Sequence, residues 1–228
     1  MAFLGIETST PICSVALFDE DKVYIERTQT KDRSHSALLT RMISEVLKES
    51  SLNTQDLRRI YVSDGPGSYT GLRIGASVAK GICFAHDIPI YTISGLKASA
   101  CRSYHDLQQE GVYLGSADAR RDDVYLGGLA FPEKEEVDPC METLGSGFES
   151  WIDQFGKKNI YISGEGAVKM KEYELPENVK LIFRGHCASN LFYAVKYDTD
   201  SQHIRAYMTF EPYYMQRPNI TQSKKLQL

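Results

Sequence analysis

The stretch Gly65-Pro66-Gly67-Ser68-Tyr69-Thr70-Gly71-Leu72-Arg73-Ile74-Gly75 decides how this 228-residue chain is read, because two periodicities meet in it. Before it, Arg59–Ser63 is a short apolar run of strand type. After it, small and apolar residues recur at helical spacing to about His86, with Pro89 marking the end. Strand, glycine-rich loop and helix in that order make an α/β unit. The helix carries two rows at four-residue spacing, and a helix gathers such rows into stripes. One row is small throughout: Gly67, Gly71, Gly75, Ala79 and Cys83. The other is branched and apolar: Ile74, Val78 and Ile82. The branched row reads as the core face, and the small row as a groove in which another helix backbone can lie. Gly71, Gly75 and Gly81 each forgo about 1 kcal/mol of helix propensity against alanine. Close packing of a neighbouring helix would offset that loss. The neighbour is either the chain's own preceding helix or a helix of another molecule.

Towards the N-terminus, Phe3–Glu7, Ile12–Phe18 and Lys22–Thr28 are three closely spaced strands, an antiparallel meander. A helix follows with Leu38, Leu39, Met42, Ile43, Val46 and Leu47 on one broad stripe, and Asp32 or Ser34 as its cap. Thr54–Arg58 reads as a brief helix. Towards the C-terminus come a strand at Ile88–Ile93, a helix at Gly95–Tyr104 and a polar passage at Gln108–Glu110. That passage is taken as the boundary between a first unit, residues 1–107, and a second, 108–228. The second unit opens with strands Val112–Ala117 and Val124–Ala130 around the turn Asp118–Asp123. Acidic Glu133–Gly147 reads as a loop. Helices are expected at Phe148–Gln154, just after Gly164-Glu165-Gly166, and at Ser189–Lys196, with strands at Asn159–Ser163 and Val179–Phe183. The tail from Pro212 through Pro218 reads as extended, and is expected to pack back on the first unit.

Composition narrows the function. Hydrophobic residues make up 42% and charged residues 25%, the balance of a globular protein with a real core. The net charge is −4, and basic residues gather only in the doublets Arg120-Arg121, Lys157-Lys158 and Lys224-Lys225, so independent gripping of nucleic acid is not expected. Five cysteines at wide spacing, with no C-x-x-C pair, suit reduced thiols in a cytoplasmic protein. The opening residues lack the basic and apolar regions of a signal peptide, and no apolar run reaches membrane-spanning length.

The decisive stretch resembles the G-P-G-S-[FY]-T-G-L-R-I-G hallmark of the TsaB family, also called YeaZ. Three further segments agree in order. Ile6-Glu7-Thr8-Ser9 is similar to the family's opening I-D-T-S, Asp118-Ala119-Arg120-Arg121-Asp122-Asp123-Val124-Tyr125 to its D-A-R-x-x-[ED]-V-Y hairpin, and Pro212–Gln216 to its P-x-Y-[LM]-R. Glu7 stands where aspartate is usual, and Gln216 where arginine is common. The resemblance implies an α/β fold of two related lobes of the actin-like ATPase (ASKHA, ribonuclease H-like) type, each with a mixed sheet and flanking helices. It implies a non-catalytic partner or scaffold subunit of the complex that forms threonylcarbamoyladenosine in tRNA next to the anticodon. The implied partners are a TsaD-type catalytic paralogue, a TsaE-type ATPase, tRNA within the complex, and a second copy when the chain is alone. In that family the first two helices of the N-terminal lobe make the dimer contact. Carried over, this assigns Leu38, Leu39, Met42, Gly67, Ser68, Tyr69, Thr70, Gly71, Arg73, Gly75 and Ala79 to the interface. Glu7, Thr8 and Ser9 of the first hairpin, with Asp118, Arg120 and Arg121 of the second, are the candidates for cleft, tRNA or partner contact. No catalytic, metal or intrinsic cofactor residue is implied; ATP or ADP would sit only at a site shared with the partner.

Catalysis by the chain alone finds little support in the residues. The histidines His35, His86, His105, His186 and His203 include no pair four apart, and Leu39 stands four residues after His35, where TsaD-type proteins complete an H-x-x-x-H pair. There is no G-x-S-x-G elbow. An ATPase of this fold uses glycine-rich hairpins, whereas the first hairpin here has Thr8-Ser9-Thr10 and the second has arginines. Gly164-Glu165-Gly166 is a faint candidate for the adenosine loop of a small-molecule kinase and reads better as a turn. An autonomous ATPase or peptidase of the same fold is the alternative reading.

Overall fold

The computed structural model describes residues 1–30, 35–197, 203–205 and 207–216. The cap expected at Asp32 or Ser34, and the tail from residue 217, lie outside the described residues. The first half builds β1 (Ala2–Glu7), β2 (Ile12–Phe18), β3 (Val23–Thr30), α1 (His35–Glu49), β4 (Leu57–Ser63), α2 (Tyr69–His86), β5 (Ile90–Ile93) and α3 (Gly95–Leu107). The second builds β6 (Gly111–Asp118), β7 (Asp123–Phe131), β8 (Glu135–Thr143), α4 (Ser146–Ile152), β9 (Ile160–Gly164), α5 (Glu165–Met170), β10 (Val179–Ile182), α6 (Ser189–Tyr197) and β11 (His203–Arg205).

The strands form two sheets, in the orders β11-β5-β4-β1-β2-β3 and β10-β9-β6-β7-β8. Without β11 the two orders are the same. In each, the first strand is central, pairs antiparallel with the second and parallel with the fourth. The lobes are therefore related in topology, as the two-lobed α/β class requires. No internal repeat is legible in the sequence, because many apolar residues satisfy the same buried strand position.

Two strands escape the sequence reading. β8 lies in the stretch read as an acidic loop. It is an edge strand with mixed exposure, so its outward positions accept glutamates, and the pairing slips between Leu126 and Gly128, where Pro139 approaches Gly127. β11 is three residues long and returns from beyond the second lobe to pair with β5.

The helices layer the sheets. α1 and α2 cover the outer face of the first sheet over a core containing Leu39, Met42, Val46, Ala79 and Cys83. α4 and α5 contribute Phe148, Ile152, Ala167 and Met170 to the outer core of the second. Between the sheets lies a shared layer of α3 and α6. α3 follows the first sheet's β5 yet packs on β6 and β7, while α6 follows β10 and packs on β1 to β4. The middle core they make joins Phe3, Phe18 and Tyr61 of one sheet to Tyr113, Phe131 and Tyr161 of the other. Tyr104 of α3 lies flat on Phe131, ring centres 3.8 Å apart.

Gly115 lets α3 approach so closely: a side-chain carbon there would lie 2.6 Å from the Leu96 Cα. Gly115→Val is expected to cost about 3 kcal/mol, the upper range for forcing bulk into a packed layer. Urea unfolding checks this. Both lobes should lose stability in one transition, since they share the layer that is pushed apart.

Candidate functional site

Ser68 caps α2, its hydroxyl accepting from the Gly71 amide at 3.3 Å. The small row then runs along the underside. Carbons built on Gly67 and Gly71 would overlap the carbonyl oxygens of Ser9 and Thr8, and one on Gly75 would overlap Thr8 Oγ1. The Thr8 hydroxyl donates to Gly71 O at 2.8 Å, and the Ser68 amide donates to Ser9 O at 2.6 Å. Further along the row, Ala79 and Cys83 are fully buried. The row expected as an open groove is thus closed by the chain's own β1–β2 loop. Gly67, Gly71 and Gly75 seat α2 on that loop, and Ala79 is buried in the first core. Leu39 and Met42, also assigned to the interface, are buried in the first core. Spacing identifies two faces of a helix but not which one turns inward. Here the glycine face turns inward, because what it meets is a backbone loop with no room for a Cβ.

The outward face of α2 carries exposed Thr70, Arg73, Ser77, Gly81 and Phe84. The branched row Ile74, Val78 and Ile82, expected in the core, is only half-buried along the edge of this face, as is Leu38 of α1. A groove of about 680 Å³ runs between α1 and α2, with Ile43, Leu47, Leu52, Val78 and Ile82 in its wall. A second hollow of about 360 Å³ lies over Tyr69, Thr70, Arg73, Ile74, Ser77 and Val78. Nothing lies within 4 Å of where a Gly81 Cβ would stand. At the head of the helix the Arg73 guanidinium sits 4.1 Å above the Tyr69 ring, which packs on Tyr214 of the tail at 4.8 Å. The Tyr213 amide donates to Asp64 O at 2.7 Å, holding the tail against the loop before α2.

Glu7, Thr8, Ser9 and Thr10 are all buried. Their polar groups are largely used internally: the Ser9 amide donates to Glu7 Oε1 at 2.6 Å and the Ile12 amide to Thr10 Oγ1 at 3.2 Å. Glu165, the first residue of α5, reaches across from the second lobe. Its Oε1 accepts from the Thr10 hydroxyl at 3.2 Å and from the His186 amide at 3.1 Å, and its Oε2 lies 2.8 Å from His186 Nδ1. Burial alone would push the His186 imidazole down, but the Glu165 carboxylate, with Glu7 behind it, holds it above its ordinary value. Burial likewise opposes ionisation of Glu165, and His186 outweighs it, holding the carboxyl low. These two residues lie 21 apart in the chain, and no sequence signal joined them. With the Ser9 amide taken by Glu7 Oε1 and the carboxylates of Glu7 and Glu165 close by, this arrangement is a poor match for the negative charge of a phosphate group.

The second hairpin is different. Asp118, Arg120 and Arg121 are exposed on its tip, and both arginines have positive φ, 74° and 46°. Among the described residues no three His, Cys, Asp or Glu side chains are grouped to hold a metal ion. The five cysteines form no disulfide, and burial pushes the thiols of Cys13 and Cys187 up to about 11 and those of Cys83 and Cys140 up to about 12, poor values for nucleophiles.

A family model described as TsaD, tRNA N6-adenosine threonylcarbamoyltransferase, matches residues 24–224. The chain is 37% identical over 161 residues to the tRNA threonylcarbamoyladenosine biosynthesis protein TsaB of Bacillus subtilis, covering 70% of this chain and 68% of that one. This chain belongs to the TsaB family. The TsaB of Escherichia coli is 27% identical over 76% of this chain and 83% of its own length. YeaZ from Pseudomonas aeruginosa has the same fold, with a TM-score of 0.74 at 23% identity over 94% of this chain and 99% of that chain. Within this TsaB chain, the family hallmark Gly65–Gly75 proves to be the segment that seats α2 on the first hairpin. Among the described residues no helix is long and apolar enough to cross a membrane.

Two measurements test this geometry. Gly71→Ala and Gly75→Ala should each lower the stability of the lone chain by about 2 kcal/mol, while Gly81→Ala should raise it by up to about 1 kcal/mol, in chemical denaturation. The Glu165–His186 pair has two limbs in pH. His186, raised above 6.5, contributes stability that is full below that pH and is lost as pH rises through its folded value. Glu165, lowered below 4.5, contributes stability present above that pH and lost as pH falls through its folded value. The contribution is therefore full between about pH 4.5 and 6.5. Glu165→Gln should flatten both limbs in melting curves recorded across pH.

Proposed function

We propose that this chain is a non-catalytic partner subunit in the formation of threonylcarbamoyladenosine in tRNA, binding a TsaD-type catalytic paralogue through the outward face of α2 and the groove beside α1. The single observation that carries the reading is Gly81. It sits in the helix with open space around it, so nothing inside the chain offsets its helix-propensity cost of about 1 kcal/mol. A helix of another molecule, lying along Thr70, Arg73, Ser77 and Gly81 between the flanks Ile74, Val78 and Ile82, would use the space that Gly81 leaves. The Arg73–Tyr69 stack supplies a pre-organised anchor of the kind that dominates interfaces. The family model shared with the transferase supports a like-with-like pairing, since a paralogue of the same fold has an equivalent pair of helices. The same face is self-complementary, so the chain alone forms a weaker homodimer.

The carboxylates of Glu7 and Glu165 beside the first hairpin, with the Ser9 amide already taken by Glu7, favour this reading over an autonomous ATPase. Any ATP or ADP is held at a site shared with the partner, and tRNA and a TsaE-type ATPase join in the assembled complex, which works in the cytoplasm. Gly81→Leu and Val78→Asp should leave the lone chain folded, with Gly81→Leu melting no lower than wild type, and should abolish the heterodimer with the TsaD-type subunit. Size-exclusion chromatography with light scattering reads the outcome. Intact heterodimers with both variants would sink the proposal.

A further inference from the structure

The turn between β6 and β7 holds its charges in an unusual arrangement. Its three carboxylates are each drawn back to the body of the second lobe. Asp118 Oδ1 accepts from Lys169 Nζ at 2.5 Å and from the Arg120 amide at 2.8 Å, Asp122 Oδ1 from the Tyr173 hydroxyl at 3.1 Å, and Asp123 Oδ1 from the Thr143 hydroxyl at 2.6 Å. Lys169 also donates to Asp123 O at 3.0 Å. The two guanidiniums between these acids take no part: among the described residues neither Arg120 nor Arg121 makes a side-chain hydrogen bond or ion pair, and both are exposed. Their backbones occupy the left-handed region, φ 74° and 46°, where glycine or asparagine is at ease and a long side chain is not. Ala119, the apolar member of the turn, is buried, so the tip shows a partner only charge and backbone.

Such a tip suits a polyanion better than a protein. A protein interface needs an apolar centre around its charged anchors, whereas contact with a nucleic-acid backbone is carried by the charge itself. The geometry points to the Arg120–Arg121 turn as a contact for the phosphodiester backbone of RNA, with the two guanidiniums pairing phosphates and the drawn-back acids kept clear. The assignment rests on the tRNA-modification reading above and deepens it. The overall charge of −4 fits a supporting contact within a complex, not an independent RNA-binding surface.

The test titrates an unmodified tRNA transcript into the complex of this chain with its TsaD-type partner at several salt concentrations. R120E/R121E should weaken binding by about tenfold or more at low salt and reduce the slope of log K against log salt by about 2. R120K/R121K should retain most of the affinity. R120G/R121G separates folding from binding: it removes the left-handed strain, so the melting temperature should not fall while tRNA affinity does. Unchanged affinity and slope in R120E/R121E overturns the proposal. So does loss of association with a protein component while tRNA affinity holds, which would assign the turn to an acidic protein partner. Chromatography of the wild-type pair reports separately on the subunit reading. Should that pair fail to form, the subunit reading is overturned and the assignment of the turn, which rests on it, falls with it; an intact pair with unchanged tRNA affinity in R120E/R121E overturns the assignment alone.

Discussion

The contact between the glycine face of α2 and the backbone of the Thr8–Ser9 loop governs much of this molecule. It is steric first: Gly67, Gly71 and Gly75 have no Cβ where carbonyl and hydroxyl oxygens already lie. It is then polar, through Thr8 Oγ1 to Gly71 O and the Ser68 amide to Ser9 O. Because the helix can sit this low, the end of β1 is buried, with Ile6 and Thr8 on the side facing α2 and Glu7 on the opposite side, against the start of α3. Gly95, at the start of α3, belongs to the same junction, since a Cβ there would lie 2.8 Å from Ser63 Oγ and 3.0 Å from Glu7 Oε2. The seating also fixes the rotation of α2. Once the glycines face inward, Arg73, Ser77 and Gly81 face outward, and the branched residues fall on the edge between them.

The second governing feature is the layer shared by the two sheets. Each sheet is covered on its inner side by a helix that follows the other sheet's last parallel strand, so neither lobe completes a core without the other. The chain's return from β10 to α6 is fixed on both sides of this layer. Glu165 takes the His186 amide, while Ser14 and Glu26 take the amides of Ala188 and Ser189 at 2.9 and 2.7 Å. A protein held this way is suited to presenting a surface of constant shape.

Two features run against the stability of the isolated chain: a helical glycine in open space and adjacent arginines in left-handed backbone. Both lie on the surface, and each leaves a group ready for an external partner. Local choices that a fold does not need are where function shows in a structure otherwise consistent across its levels.

Sequence by itself determined the strand meander, the first two helices of the first lobe, the α/β class and the family, because hydrophobic period and the long Gly65–Gly75 motif are local properties of the chain. It also showed the helix-propensity cost of Gly71, Gly75 and Gly81 together, and named Arg120 and Arg121 among the candidates for contact. The edge strand β8 stayed hidden under its acidic outward positions, and β11 was too short to carry a period. Tertiary structure alone decided that the small row of α2 faces inward and the branched row lies half-exposed, since a stripe has no direction until something packs on it. It alone brought Glu165 to His186, and α3 and α6 each to the opposite sheet. Those pairings depend on how the chain crosses between sheets, and no spacing within a single element encodes that crossing.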